Sequence, residues 1–300
     1  MTLYSQAESN IYKTWLLIGV FLVFIIFLGW LFSYFFGNYL ILITATIFSV
    51  STSVLSYWHS DKVVLKMTRA KPIKKEQNPE LYRIVENLAI TAGLPTPKIY
   101  IVPELKPNAF ATGRDENHAA IAVTEGLLQK LDRTELEGVL SHEISHIKNK
   151  DILIGTIAVI LAGIIAHMSY WGFRLAFWGG FGRSRDSRNS GGAIILIIGL
   201  IAIILAPLAA SLIRLAISRK REFLADASGA LLTRYPEGLV RALEKIAQDP
   251  TPMRVASNAT SHLFISSPFK GKQKTSWFTK LFMTHPPIEE RIRALRDMRV

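Results

Sequence analysis

The chain has 300 residues, half of them apolar, with 35 Lys+Arg against 23 Asp+Glu, a formal net charge of +12 and no cysteine. That length suffices for a sizeable core in one or two domains, and the lack of cysteine excludes a disulfide framework, an iron–sulfur cluster and any zinc site built on thiolates. A metal here must be held by histidines and carboxylates, and a mean hydropathy of +0.27 with only 19% charged residues makes the distribution of the apolar residues the first question.

Between residues 14 and 60 there is no Asp, Glu, Lys or Arg. The runs 14–36 and 39–58 are each long enough to cross about 30 Å of hydrocarbon as helices, with Gly37-Asn38 as the turn. The first run exceeds the ~7–15 apolar residues of a cleaved signal, so residues 1–60 read as a membrane hairpin. Trp15, Trp30, Tyr34, Tyr39, Tyr57 and Trp58 sit near its ends, where amphipathic rings favour the headgroup layer. Lys62, Lys66, Arg69, Lys71, Lys74 and Lys75 follow. Net charge by segment is 0 over residues 1–60, +1 over 61–151, +3 over 152–213 and +8 over 214–300. Positive charge piled beside span ends is a membrane-orientation signal, worth about 1 kcal/mol per residue at an anionic leaflet. It points to a lipid bilayer with the basic flanks in the cytoplasm, and argues against nucleic acid as a partner.

Further along, a helix is predicted near 78–92, closed by Gly93, before the break Pro95-Thr96-Pro97. Three short β-like runs follow at 98–102, 108–112 and 119–123, expected to form a small antiparallel sheet. Thr134 with Glu137 has the form of a capping box, predicting a helix over 134–150. A third apolar run spans 152–173 and a fourth 193–213. The connector between them carries Arg174, Arg183, Arg185 and Arg188 against Asp186, which conflicts with an outside location, so either both runs cross or they form a shallow re-entrant hairpin. Its GGFGRSRDSRNSGG stretch (179–192) reads as an unstructured link. A helix over 214–232 leads into the C-terminal part. Residues 61–151 and 214–300 are then two halves of one soluble domain, interrupted by the hairpin 152–213.

The predicted helix 134–150 contains His142-Glu143-Ile144-Ser145-His146. Histidines four apart lie one turn apart on one face and can grip one metal ion, while Glu143 beside them is placed as general base toward water whose pKa zinc lowers to about 7. A chance H-E-x-x-H occurs in roughly one chain in a hundred of this composition; the capped helix around this one favours a site. An extended third-histidine pattern would need a glycine and then a histidine further along, at the positions that Asn149 and Ile152 occupy, so it is absent. A glutamate from a second helix is the remaining common solution, and Glu222 offers it, with Asp226 one turn on to hold a ligand histidine from behind. Asp151 serves either as a helix end or as support for the histidine helix. His142 and His146 precede the hairpin 152–213 and Glu222 follows it, so an even number of crossings leaves both flanks on one side of the membrane.

The blocks NAFATG (108–113), AVTEGLL (122–128), LEGVLSHEISHIKNKD (136–151), LAPLAASLIRLAISRKREFLADA (205–227) and THPPIEERI (284–292) resemble the HtpX membrane zinc metalloproteases, which are distantly similar to the CAAX prenyl endopeptidases. The resemblance runs over nearly the whole chain in family order. It implies a mainly α integral membrane protein whose α+β zincin-like metallopeptidase domain faces the cytoplasm from the bacterial inner membrane. It further implies His142, His146 and Glu222 as ligands of one Zn2+, Glu143 as the base, and His285 near the tetrahedral intermediate. Asn108, with Ala109 and Phe110, would lie on the strand lining the cleft. Substrates would be polypeptides, above all misfolded or damaged membrane proteins. The residues leave a second class open: a non-proteolytic membrane protein with a structural zinc, or a scaffold that binds such proteins.

Overall fold

The computed structural model describes residues 3–181, 219–253, 263–265 and 286–298. The span expected at 193–213 and His285 lie outside the described residues. Helix α1 (Leu3–Phe36) includes the whole first apolar run and begins well before it; Asn38 caps α2 (Tyr39–Trp58) by accepting the Leu40 N–H. Short α3 (Ser60–Met67) turns the chain into β1 (Lys71–Pro72) and α4 (Pro79–Ala92). α4 has its N-cap at Asn78 and stops at Gly93, whose φ of +73° is a left-handed conformation that glycine adopts without strain. Strands β2 (Lys98–Val102), β3 (Ala109–Thr112) and β4 (Ala120–Thr124) follow, then α5 (Glu125–Lys130), α6 (Arg133–Lys148) and α7 (Asp151–Phe181). Beyond it come α8 (Arg219–Thr233), α9 (Pro236–Gln248) and α10 (Ile288–Arg296). Three of these helices, over Ser9–Tyr34, Tyr39–Trp58 and Asp151–Met168, are long and apolar enough to cross a membrane.

The sheet differs from the expected antiparallel one. Its order is β1-β2-β4-β3, with β2 and β4 parallel (Tyr100 beside Ala122) and β3 antiparallel to β4 (Ala111 beside Ile121). Burial alone does not set this order, since every residue of β3 as well as of β4 is buried; β4 is central because it pairs with β2 on one side and β3 on the other. The proline-bearing link 103–107 cannot form a tight hairpin, so β2 and β3 part and β4 enters between them. β3 is left at the edge of the sheet.

The helix carrying the two histidines starts earlier than expected. Asp132, not Thr134, is its N-cap: the Asp132 side chain accepts the Glu135 N–H at 2.9 Å and Glu135 returns the bond to the Asp132 N–H at 2.9 Å. α6 is buried on most sides. Leu136, Val139, Leu140, Ile144 and Ile147 belong to a core shared with α4, the sheet and α9, while His142 and Glu143 are buried on the remaining face. A second apolar cluster joins Leu17, Phe21, Ile25 and Leu28 of α1 to Ile154, Ile157, Leu161 and Ile165 of α7. α7 continues to Phe181, beyond the end of the apolar run and into the residues expected to be an open connector.

α6 and α8 approach until backbones touch. At Gly229 an added Cβ would lie 2.9 Å from the Ser141 Oγ and 3.0 Å from the His142 nitrogen. Only hydrogen fits there. Gly229→Val is therefore expected to force the helices apart at about 1–3 kcal/mol and to lower the thermal midpoint of detergent-purified protein by several degrees, read by tryptophan fluorescence. An unchanged midpoint would show that the helices can separate at no cost.

Candidate metal centre

α6 sets His142 and His146 one turn apart, their Nε2 atoms 3.1 Å from each other. α8 crosses beside them and brings Glu222 in, with Oε2 4.0 Å from His142 Nε2 and Oε1 3.7 Å from His146 Nε2. These three side chains form the cluster of potential metal ligands found among the described residues. Around a tetrahedral ion with bonds of ~2.0–2.1 Å, neighbouring ligand atoms stand about 3.3 Å apart, so the donor set fits one ion after small side-chain adjustments.

Each histidine is held from behind by a carboxylate. His142 Nδ1 lies 2.8 Å from Asp226 Oδ1, and His146 Nδ1 lies 2.9 Å from Asp151 Oδ2. A carboxylate on Nδ1 keeps the proton there and turns the Nε2 lone pair toward the rest of the cluster. Of the two roles open to Asp151, support of the histidine helix is the one this contact gives it. Asp226 is placed behind His142, as Glu222 and Asp226 at i and i+4 on α8 suggest.

The residue that sequence reasoning missed is Arg291, on α10. It is fully buried and grips Asp226 with two nitrogens, Nε to Oδ2 at 2.8 Å and Nη2 to Oδ1 at 2.6 Å. A third nitrogen, Nη1, donates to the Ile265 carbonyl at 2.9 Å and stands 3.8 Å from Glu222 Oε2. One signal was present: Arg291 is three residues after Ile288 and four before Leu295, inside the buried stripe of α10. A charge at such a position requires a buried partner.

The electrostatics favour positive charge at the centre. Burial resists ionisation of Asp226, but the Arg291 guanidinium and His142 outweigh it and hold the carboxyl down at about 2. Burial keeps the His142 imidazole neutral, pulled down to about 4 against the attraction of Asp226. At His146 burial is overcome by Asp151, Glu222 and Glu143, which raise it to about 9. Glu143, buried beside the two histidines, is raised to about 7 by burial and by the charge of Glu222, while His146 and the Ala111 N–H pull the other way.

β3 runs past Glu143. Asn108 is buried, its N–H donating to Thr124 Oγ1 at 2.9 Å and its carbonyl accepting the Thr124 N–H at 3.0 Å. Ala109 and Ala111 therefore present their amides and carbonyls to the open side of the strand. Ala109 accepts the Ile265 N–H at 3.1 Å, and Ala111 donates to Glu143. Phe110 faces the other way: its ring packs edge-on against Phe264 at 5.3 Å, away from the histidines.

Residues 75–299 match the family model of Peptidase family M48. A protease HtpX homolog of Thermoanaerobacter pseudethanolicus is 47% identical over 299 residues, covering 99% of this chain and 98% of the relative. Another, from Thermococcus kodakarensis, is 48% identical over 287 residues, covering 95% and 96%. Among solved structures, the crystal structure of S. mikatae Ste24p aligns with a TM-score of 0.49 at 20% identity, over 97% of this chain and 67% of that one.

Removing Arg291 would leave the Asp226 carboxylate buried without its cation. Arg291→Met is expected to cost about 3–5 kcal/mol of stability, and Arg291→Lys to recover only part of it, because an ammonium cannot reproduce the two-nitrogen grip. Denaturant melts of the purified protein measure both; a neutral Arg291→Met would show that Asp226 needs no partner.

Proposed function

Taking as premise that this chain belongs to Peptidase family M48, among its HtpX-like proteases, we propose that it is a membrane-bound, zinc-dependent endopeptidase that works at the cytoplasmic face on misfolded or damaged membrane proteins. The observation that carries the reading is the meeting of His142, His146 and Glu222 from two helices, with the Glu143 carboxyl buried beside them. Two imidazoles and one carboxylate are a zinc donor set that leaves a coordination position for chemistry. A bound zinc ion supplies Lewis acidity, polarising the scissile carbonyl and acidifying the attacking water.

The remaining steps fall to the protein. Glu143 accepts the water proton and returns it to the leaving amine, work suited to a carboxyl whose pKa lies near neutrality. Asp226 and Asp151 hold the two imidazoles in orientation, and Arg291 keeps Asp226 charged. The polypeptide binds in extended form along β3, where the outward Ala109 carbonyl is already able to take a main-chain N–H, as it does from Ile265. A substrate strand on this edge competes with residues 263–265. His285 is assigned to the tetrahedral intermediate by resemblance.

Location supports the choice of substrate. The beginning of α1, α3 after the end of α2, and the beginning of α7 lie at the end of the membrane helices that meets the metal cluster, next to the basic block Lys62–Lys75. Polypeptide emerging from the bilayer on that side reaches the site directly.

Glu143→Gln is expected to retain close to one zinc per chain and to lower casein cleavage by about 10²–10⁴-fold. Retained cleavage would show that Glu143 is not the base, and loss of zinc would make Glu143 a ligand. For orientation, the absence of native cysteine allows a single reporter: Lys74→Cys should be protected from a membrane-impermeant thiol reagent in intact cells and react after permeabilisation. Labelling in intact cells would place the site outside.

A further inference from the structure

Asn10 is a polar residue near the start of a membrane helix, yet it is 2% exposed. Its Nδ2 donates to Asp151 Oδ1 at 2.7 Å and approaches the Asn149 carbonyl at 3.3 Å. Its Oδ1 accepts from Arg221 Nη1 at 3.0 Å. Asp151 uses its other oxygen, Oδ2, on His146 Nδ1. Arg221 immediately precedes Glu222 on α8, and its Nε stands 3.8 Å from Asp151 Oδ1. One carboxamide thus joins the two arms of the ligand cluster: its donor side fixes the carboxylate behind His146, and its acceptor side fixes the turn of α8 that carries Glu222. Among neutral side chains of this size, an amide offers a donor and an acceptor at opposite corners.

We propose that Asn10 is a positioning residue of the metal site, through which the first membrane helix holds His146 and Glu222 in register. The inference rests on the reading of His142, His146 and Glu222 as metal ligands. α1 is then more than an anchor: it completes the support of the catalytic centre. Thr14, one turn on, bonds back to the Asn10 carbonyl at 2.8 Å and, among the described residues, to no other group, so the contact with Asp151 belongs to Asn10.

The test measures zinc affinity of the full-length, detergent-purified chain by chelator competition, independently of activity. Asn10→Leu is expected to weaken zinc about 10-fold or more, within the 10–100-fold range for groups that orient ligands. Thr14→Val should leave affinity unchanged. Asp151→Ala should weaken zinc as well, and adding Asn10→Leu to it should cost little more, since one acts through the other. A polarity swap covers the case in which Asn10→Leu does not fold. Asn10→Asp sets two carboxylates face to face and should weaken zinc; combining it with Asp151→Asn restores a donor opposite an acceptor and should recover part of the loss. Unchanged affinity in Asn10→Leu, fully additive losses, or a swap without recovery would overturn the inference. His146→Ala separates the two levels: if it too leaves zinc binding intact, the ligand assignment fails, whereas zinc lost in His146→Ala but kept in Asn10→Leu removes only the role of Asn10.

Discussion

The carboxylate of Asp226 is buried, ionised and held from two sides, by the forked guanidinium of Arg291 and by the Nδ1 edge of His142. A carboxyl in such a place would ordinarily become neutral, and a neutral one could not fix the imidazole proton on Nδ1. Arg291 prevents this. The charge therefore decides the tautomer of His142, the direction of its Nε2 lone pair and hence whether a cation can be held opposite Glu222. Three elements distant in sequence, α6, α8 and α10, meet at this one group.

The arrangement requires close packing that only small residues permit. Glycine at 229 lets α8 lie against the backbone of α6 next to His142, and Gly138 lets α9 do the same on the other side, where an added Cβ would come within 2.5 Å of the Leu239 nitrogen. With both contacts in place the middle of α6, residues 138–145, loses its solvent face. That burial is what pushes the Glu143 carboxyl toward neutrality and keeps His142 uncharged, so helix packing and acid–base behaviour share one cause.

Membrane and catalytic parts are joined rather than merely linked. Apolar side chains of α1 and α7 interlock along the span, and at the end nearest the histidines polar contacts take over. Asp151, at the first turn of α7, faces His146 on one side and Asn10 on the other. One turn later Thr156 meets Thr112 at 3.0 Å, tying the end of β3 to the same helix. A polypeptide bound along β3 and a metal held by α6 would both be referred to the frame of the membrane helices.

Much of this was legible in the sequence, and the reason is local periodicity. A run of 20 or more uncharged apolar residues identifies a potential span, and four-residue spacing on a helix places His142 near His146 and Glu222 near Asp226, whatever the rest of the chain does. Glycine at 93 and the asparagine before α4 mark helix ends by backbone conformation and side-chain hydrogen bonds, again within a few residues. The N-cap of α6 was misplaced by two residues because Asp132/Glu135 and Thr134/Glu137 offer the same local pattern, and the fold selects between them. Strand order was not legible from burial, since β3 and β4 are both buried throughout; it is set by pairing between strands. The pairings of Arg291 with Asp226, Asn10 with Asp151 and Arg221 with Asn10 join residues 65, 141 and 211 positions apart. No spacing rule reaches across such distances; those partners are chosen when helices pack and a buried charge or amide must find its complement.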